Sequence, residues 1–338
     1  MTAPGPKNLI TDVGGVLVGN AEDARAWTGV TVVLPAARAV GAVDVRGGAP
    51  GTRETDSLDP ARLVGAVDAV VLAGGSVYGL EAASAVTAAL GAQGRGYRLA
   101  GPLVAPIVPS AILFDLANGG DKGWGATPPY AGLGLAALSA AGAEFALGNA
   151  GAGYGARAGL YKGGLGSASL VTADGYAVGA LVAVNSFGSP VVPGTTTLWA
   201  WSFEQGGELG MQVPPTAPIG DLDLPADMKG RPAAQSGSNT TIGIVACNAA
   251  LTPAEAQRIA IMAQDGYARA IRPIHTAFDG DVIFALATGE RALGEPRPAA
   301  VSRLGALAAD CVARAVGRGV YEADTLGEAV SYRARRSL

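Results

Sequence analysis

A layered α/β fold is predicted by three features of this sequence. Runs of β-branched residues alternate with helical text built from small side chains, an Asp-Gly turn signal joins two apolar runs at mid-chain, and strand, helix, strand and helix follow one another over the last hundred residues. The first strands are expected at 30–34 (VTVVL) and 39–45 (AVGAVDV). A third, 69–72 (AVVL), runs into Ala73-Gly74-Gly75-Ser76 and then a helix to about Leu90, with Leu80, Ala83, Val86 and Leu90 at helical spacing on one face. A second helix, 130–141, is again rich in Ala, Leu and Gly.

The apolar runs 167–172 (SASLVT) and 176–184 (YAVGALVAV) flank Asp174-Gly175, a dipeptide that tolerates positive φ, and so read as a hairpin. Between about 204 and 238 the text loses periodicity, gathers Pro214, Pro215, Pro218, Pro225 and Pro232, and ends in Gln235-Ser236-Gly237-Ser238. A flexible linker is expected there, too long for an ordinary connection inside a compact fold. Asn239-Thr240-Thr241-Ile242-Gly243-Ile244-Val245-Ala246 then reads as a strand buried on both faces. Thr252-Pro253-Ala254-Glu255 forms a capping box that opens a helix to about Ala270, with Ala256, Ile259, Ala260, Ala263 and Tyr267 inward. A loop at 272–281, a strand at 282–287 and an amphipathic helix at 300–316 complete the chain.

Composition narrows the chemistry. A formal net charge of −4 leaves no basic footprint for nucleic acid or an anionic membrane surface, so neither is expected as a partner. The opening text MTAPGPKNL has no apolar core of a secretory signal, and the two long uncharged runs are broken by prolines and polar residues. Two cysteines, Cys247 and Cys311, form no paired motif and fit a reduced, cytoplasmic compartment. One histidine, His275, excludes a metal site built from two imidazoles. His275 also lacks a G-x-S-x-G partner for a Ser-His-Asp triad, and reads as a packed or hydrogen-bonded loop residue. The G-x-G-x-x-A text at 151–156 lacks the acid that a dinucleotide site needs after a second strand. No cofactor or metal is expected.

A nucleophile that needs no histidine remains. If Thr240 became a chain terminus, its α-amine, with an ordinary pKa of about 7.7–8.0, would take the proton from its own hydroxyl. The expected linker before Asn239–Thr240 and the rigid strand after it suit such a cut, although strands beginning Asn-Thr-Thr are common and spacing alone does not decide it.

The sequence resembles the self-processing aminopeptidase/amidase family that includes L-aminopeptidase/D-esterases, β-peptidyl aminopeptidases and nylon-oligomer hydrolases. The resemblance spans essentially the whole chain. It is carried by the ordered blocks 8–19 (NLITDVGGVLVG), 44–52 (DVRGGAPGT), 72–82 (LAGGSVYGLEA), 108–116 (VPSAILFDL), 162–167 (KGGLGS), 182–188 (VAVNSFG), Asn239-Thr240-Thr241-Ile242 and 275–281 (HTAFDGD). It implies a four-layer α-β-β-α sandwich and a single catalytic domain over 1–338, cut between Asn239 and Thr240 into chains 1–239 and 240–338. It also implies a homotetramer of the cleaved pairs and a small peptide or oligoamide substrate.

By the same resemblance Thr240 is the nucleophile, which leans toward the threonine-using nylon-oligomer hydrolase branch. Lys162 becomes an active-site lysine whose charge favours a neutral amine and a developing oxyanion. Asn185 becomes an oxyanion donor, and Asp279 and Asp281 hold the Thr240 amine and hydroxyl. Each also has an ordinary structural reading, as a lysine in a glycine loop, a backbone-bonded buried amide and turn aspartates. The expected activity is amide hydrolysis through an acyl-enzyme. The alternatives are an N-acetyltransferase of the ornithine acetyltransferase type and an uncleaved binding protein.

Overall fold

A computed structural model describes residues 1–217, 223–229 and 239–336. Its strands in chain order are β1 (Val16–Asp23), β2 (Thr28–Pro35), β3 (Ala39–Val45), β4 (Thr52–Arg53), β5 (Ala66–Val67), β6 (Val70–Ala73), β7 (Tyr97–Arg98), β8 (Val104–Ala105) and β9 (Ser110–Ile112). There follow β10 (Arg157–Ala158), β11 (Tyr161–Lys162), β12 (Gly164–Val171), β13 (Ala177–Asn185), β14 (Thr240–Ala249) and β15 (Val282–Arg291). The helices are α1 (Glu81–Ala92), α2 (Tyr130–Ser139), α3 (Pro253–Ala270), α4 (Arg297–Tyr321) and α5 (Tyr332–Arg336).

Two sheets carry the fold. One has the order β1-β2-β6-β9-β4 and the other β12-β13-β14-β15-β3-β5. Three apolar clusters show how they stack. Val18, Val33 and Leu72 of the first sheet meet Leu181, Ile244 and Phe284 of the second in one cluster. The outer face of the second sheet packs Val245, Ile283 and Val182 against Ile259, Ala263, Leu304 and Val316 of α3 and α4. The outer face of the first packs Val30, Val32 and Val71 against Ala83, Val86 and Ala137 of α1 and α2. The layers therefore run α-β-β-α, the sandwich that the family resemblance implies. Strands in the middle layers are buried on both faces, which is why their text is near-continuously apolar.

Local chemistry matches these elements. Gly175 takes φ 85° in the β12–β13 hairpin. Thr252 caps α3 by accepting from the Glu255 N–H, while Glu255 returns a bond to the Thr252 N–H at 2.8 Å. Glycine makes up 51 of the 338 residues, and close approach explains some of them: a Cβ at Gly19 would strike the Ala137 carbonyl of α2, and one at Gly166 the Ala315 carbonyl of α4. Helix α4 begins three residues before the expected 300 and ends five beyond 316, because Pro296 precedes its first turn and its apolar face continues through Val320. Strand β1, absent from the sequence expectation, interleaves buried and half-buried residues and pairs with β2 over its full length. No helix among the described residues is long and apolar enough to cross a membrane.

The stretch expected as a linker is described over 204–217 and 223–229; the remainder, including Gln235-Ser236-Gly237-Ser238, lies outside the described residues. Its first part is pinned. Glu204 accepts from the N–H groups of Leu209, Met211 and Gln212, and Leu209 is fully buried. Glu208 receives Arg314 in a bidentate pair at 2.6 and 2.9 Å, and Arg314 also donates to Ser169 O and Asn8 Oδ1.

Arg314 is only 1% exposed, so removing its partner strands a buried charge. Glu208→Leu is expected to lose about 3–5 kcal/mol in urea unfolding, with a substantial part recovered in Glu208→Leu/Arg314→Met. An unchanged midpoint in the single variant would show that the pair is idle.

Candidate active site

The site lies at one end of the six-stranded sheet, where β14 and β15 begin and β13 ends. Strands β14 and β15 are parallel, connected by the α3 crossover, and Ile242 pairs with Val282. On its other side β14 runs antiparallel to β13, with Thr240 opposite Asn185. Directly opposed residues project to the same face, so Thr240 and Asn185 share the face that continues through Ile242 and Ala183 into the core between the sheets.

Thr240 is 2% exposed. Its hydroxyl donates to the carbonyl oxygen of Asn239, the residue immediately before it. That same oxygen accepts the Gly280 N–H at 2.9 Å. A Cβ on residue 280 would stand 2.8 Å from Thr240 Oγ1 and 2.7 Å from Ala49 O, so the position has no room for a side chain unless both the hydroxyl and the Ala49 backbone move. The Asn239 carbonyl thus carries two donors, one from the hydroxyl beside it and one from the backbone across the sheet.

Both aspartates are fully buried and lie beside this carbonyl. Asp281 accepts from Thr241 N at 2.7 Å through Oδ1, while Oδ2 lies 3.0 Å from His275 N and 2.9 Å from His275 Nδ1. Asp279 accepts from Phe187 N at 3.1 Å, and from Thr276 N and Oγ1 at 3.0 and 2.6 Å. Burial, and next the negative charge of Asp281, push the Asp279 carboxyl above the ordinary carboxylate range. The hydrogen bonds of these aspartates go to backbone and to neighbouring side chains rather than to the Thr240 hydroxyl. His275 is a hydrogen-bonded loop histidine, held at φ 57° against Asp281.

The β3–β4 loop fixes the turn through its backbone. Arg46 N and Gly47 N donate to Asp281 O, and Ala49 N donates to Asp279 O at 2.8 Å. A Cβ at Gly47 would collide with this turn, which accounts for the glycine pair in DVRGGAPGT.

Asn185 is 2% exposed. Its Oδ1 accepts from Arg157 N at 2.9 Å and from Lys229 Nζ at 3.0 Å, and its Nδ2 donates to Phe114 O at 3.0 Å. Among the described residues its second amide proton has no acceptor. Lys162 is fully buried in β11, opposite Arg157, and its ammonium donates to the carbonyls of Gly163 and Gly153. Burial lowers it to about 7, with Asp115 pulling in the opposite direction. Asp115 itself is raised by burial to about 6, although it accepts from Thr28 Oγ1 at 2.6 Å and Gly75 N at 2.7 Å.

Thr240, Asn185, Asp279 and Asp281 are therefore brought together directly. Lys162 connects to them through the β10–β11 ribbon and forms no hydrogen bond with any of the four. Sequence reasoning missed Lys229, Gly280 and Thr276. Gly280 was legible as the residue between two site aspartates, whereas Lys229 sits in aperiodic, proline-rich text that gives no signal.

A model of peptidase family S58 matches residues 8–332. The chain belongs to peptidase family S58. An uncharacterized aminopeptidase of Mycobacterium tuberculosis is 47% identical over 96% of this chain and 97% of its own length. A 6-aminohexanoate-oligomer endohydrolase of Kocuria sp. is 34% identical over 85% of this chain and 76% of its own. Among solved structures, a Burkholderia sp. beta-aminopeptidase superposes with a TM-score of 0.71 at 25% identity, over 99% of this chain and 94% of that one. The S58 member described here is thus an amide hydrolase, and acetyl transfer draws no support from these relatives.

Lysine titrates near 10.4 in an unfolded chain, so between about pH 7 and pH 10 the unfolded state of this hydrolase holds a proton that folded Lys162 has released. Stability should therefore rise with pH across that window. In Lys162→Met the slope should fall by up to about 1.4 kcal/mol per pH unit, read from unfolding curves between pH 7 and 9.5. A slope unchanged by the substitution would place that proton elsewhere.

Proposed function

We propose that this S58 hydrolase cuts its own Asn239–Thr240 bond and then uses the exposed Thr240 as an N-terminal nucleophile on peptide or peptide-like amides. The observation that carries the reading is the doubly held Asn239 carbonyl, with the Thr240 hydroxyl already against it. In the first step Thr240 Oγ1 bonds to the Asn239 carbonyl carbon and the Thr240 nitrogen leaves, taking a proton. An ester results, and the Gly280 N–H steadies the negative charge on oxygen along the way. Water then opens the ester, leaving a carboxylate on Asn239 and a free amine on Thr240.

Turnover repeats this chemistry on a bound amide. The Thr240 amine accepts the hydroxyl proton and passes it to the departing amine, and the remaining Asn185 amide proton faces the new oxyanion. Lys162, which burial lowers to about 7, brings positive charge to the same end of the sheet only toward and below neutral pH. Asp279 and Asp281 act one step removed, by holding Phe187, Thr241 and the 275–281 turn.

The names of the relatives, an aminopeptidase and an aminohexanoate-oligomer hydrolase, support short linear amides as substrates. The mature form is a single catalytic domain of chains 1–239 and 240–338, assembled as a homotetramer of cleaved pairs in the cytoplasm. The free, buried Cys247 and Cys311 support a reduced compartment.

Thr240→Ala should remain full length on a denaturing gel and release no amine from a panel of peptide and aminohexanoate amides, whereas Thr240→Ser should retain both reactions. Gly280→Ala, whose added Cβ crowds the Thr240 hydroxyl and the Ala49 carbonyl, should stay uncut long after the wild-type chain has been processed. A Thr240→Ala protein that splits or turns over substrate would refute the assignment.

A further inference from the structure

Residues 223–229 return to the site from the proline-rich stretch that leads to the cleavage point. Asp227 anchors them: its carbonyl accepts from Leu160 N at 2.8 Å, and its carboxylate accepts from Ser189 Oγ at 2.5 Å. Met228 is buried, and Lys229 N donates to Phe187 O at 2.9 Å. The half-buried Lys229 side chain then reaches Asn185 twice, donating at 3.0 Å to its main-chain oxygen and at 3.0 Å to Oδ1.

These contacts bear on the orientation of the Asn185 amide. Asn185 Oδ1 faces two donors, Arg157 N and Lys229 Nζ, while Nδ2 faces the Phe114 carbonyl. A flipped amide would set NH₂ against the Arg157 N–H and the Lys229 head group, which already donates to the Asn185 main-chain oxygen, and would set Oδ1 against a carbonyl. Without Lys229 only one donor opposes the flip. We propose that Lys229 is a positioning residue for turnover: it locks the Asn185 amide with its free N–H toward the face shared with Thr240. The stretch ahead of the cut is then a structural part of the mature site rather than a tether that has served its purpose.

This proposal rests on the reading of Asn185 as oxyanion donor, and the test separates the two. Self-cleavage has its own donor in Gly280 N–H, so a Lys229→Met chain should still process fully, which also shows that it folds. Its kcat on a peptide amide should fall about ten- to a hundredfold, part of the loss typical of removing an oxyanion donor, with KM held within about twofold. Lys229→Arg should restore much of that loss. Asn185→Ala should be slower still, and adding Lys229→Met to it should cost nothing further, because the lysine acts through that amide.

Four results would overturn the proposal. A normal kcat in Lys229→Met with an impaired Asn185→Ala removes the role of Lys229 alone. A Lys229→Met chain that stays uncut places the lysine at processing instead. An equal loss with and without Asn185 shows that it acts by another route. A normal Asn185→Ala removes the oxyanion reading, and this inference with it.

Discussion

Strand register is the constraint on which the site depends. Strand β14 is zipped antiparallel to β13 on one side and parallel to β15 on the other, and both ladders end at residue 240 or within two residues of it. The two pairings put Thr240 opposite an amide and beside the Asp279-Gly280-Asp281 turn at once. Side chains alternate along a strand, so a slip of one residue would turn Thr240 toward the α3/α4 layer and bring Thr241 to the site. The apolar faces make that slip costly, since Ile242, Ile244 and Ala246 would exchange the inter-sheet core for the helix layer.

Within that frame, the chemistry comes from which groups are already engaged. Asp281 spends its oxygens on Thr241 N and His275, and Asp279 spends its own on Phe187 and Thr276. The carboxylates therefore hold the backbone around Thr240, and the Thr240 hydroxyl rests on the carbonyl of the residue before it. The Gly280 N–H donates to that carbonyl from a position where a Cβ would meet the Thr240 hydroxyl and the Ala49 carbonyl. In a buried site of low dielectric, such fixed dipoles stabilise charge without reorganisation. The same burial lowers Lys162 to about 7, so this lysine loses its charge in the neutral range where an exposed one keeps it.

Much of this was legible in the sequence because close backbone contacts leave glycines and polar residues in fixed order. DVRGGAPGT grips the aspartate turn, VAVNSFG supplies both Asn185 and the Phe187 N–H, VPSAILFDL supplies Phe114 O and Asp115, and LAGGSVYGLEA supplies Gly75 to Asp115. Blocks distant in sequence converge on one end of a sheet, and their joint presence is what a lone motif lacks. The capping box and the Asp-Gly turn were readable for local reasons. Lys229 was not, because its role depends on a tertiary return of the chain through Asp227 and leaves no period or motif. Strand β1 escaped because half-buried polar residues such as Asn20, which accepts from Thr31 Oγ1, interrupt its apolar text.

The proposed chemistry requires the working protein to carry a new chain terminus. End-group sequencing with intact-mass measurement of the purified, active protein tests this most directly. Two chains are expected, the smaller with 338 − 239 = 99 residues and beginning Thr-Thr-Ile-Gly. An active preparation containing only the uncut 338-residue chain would contradict it.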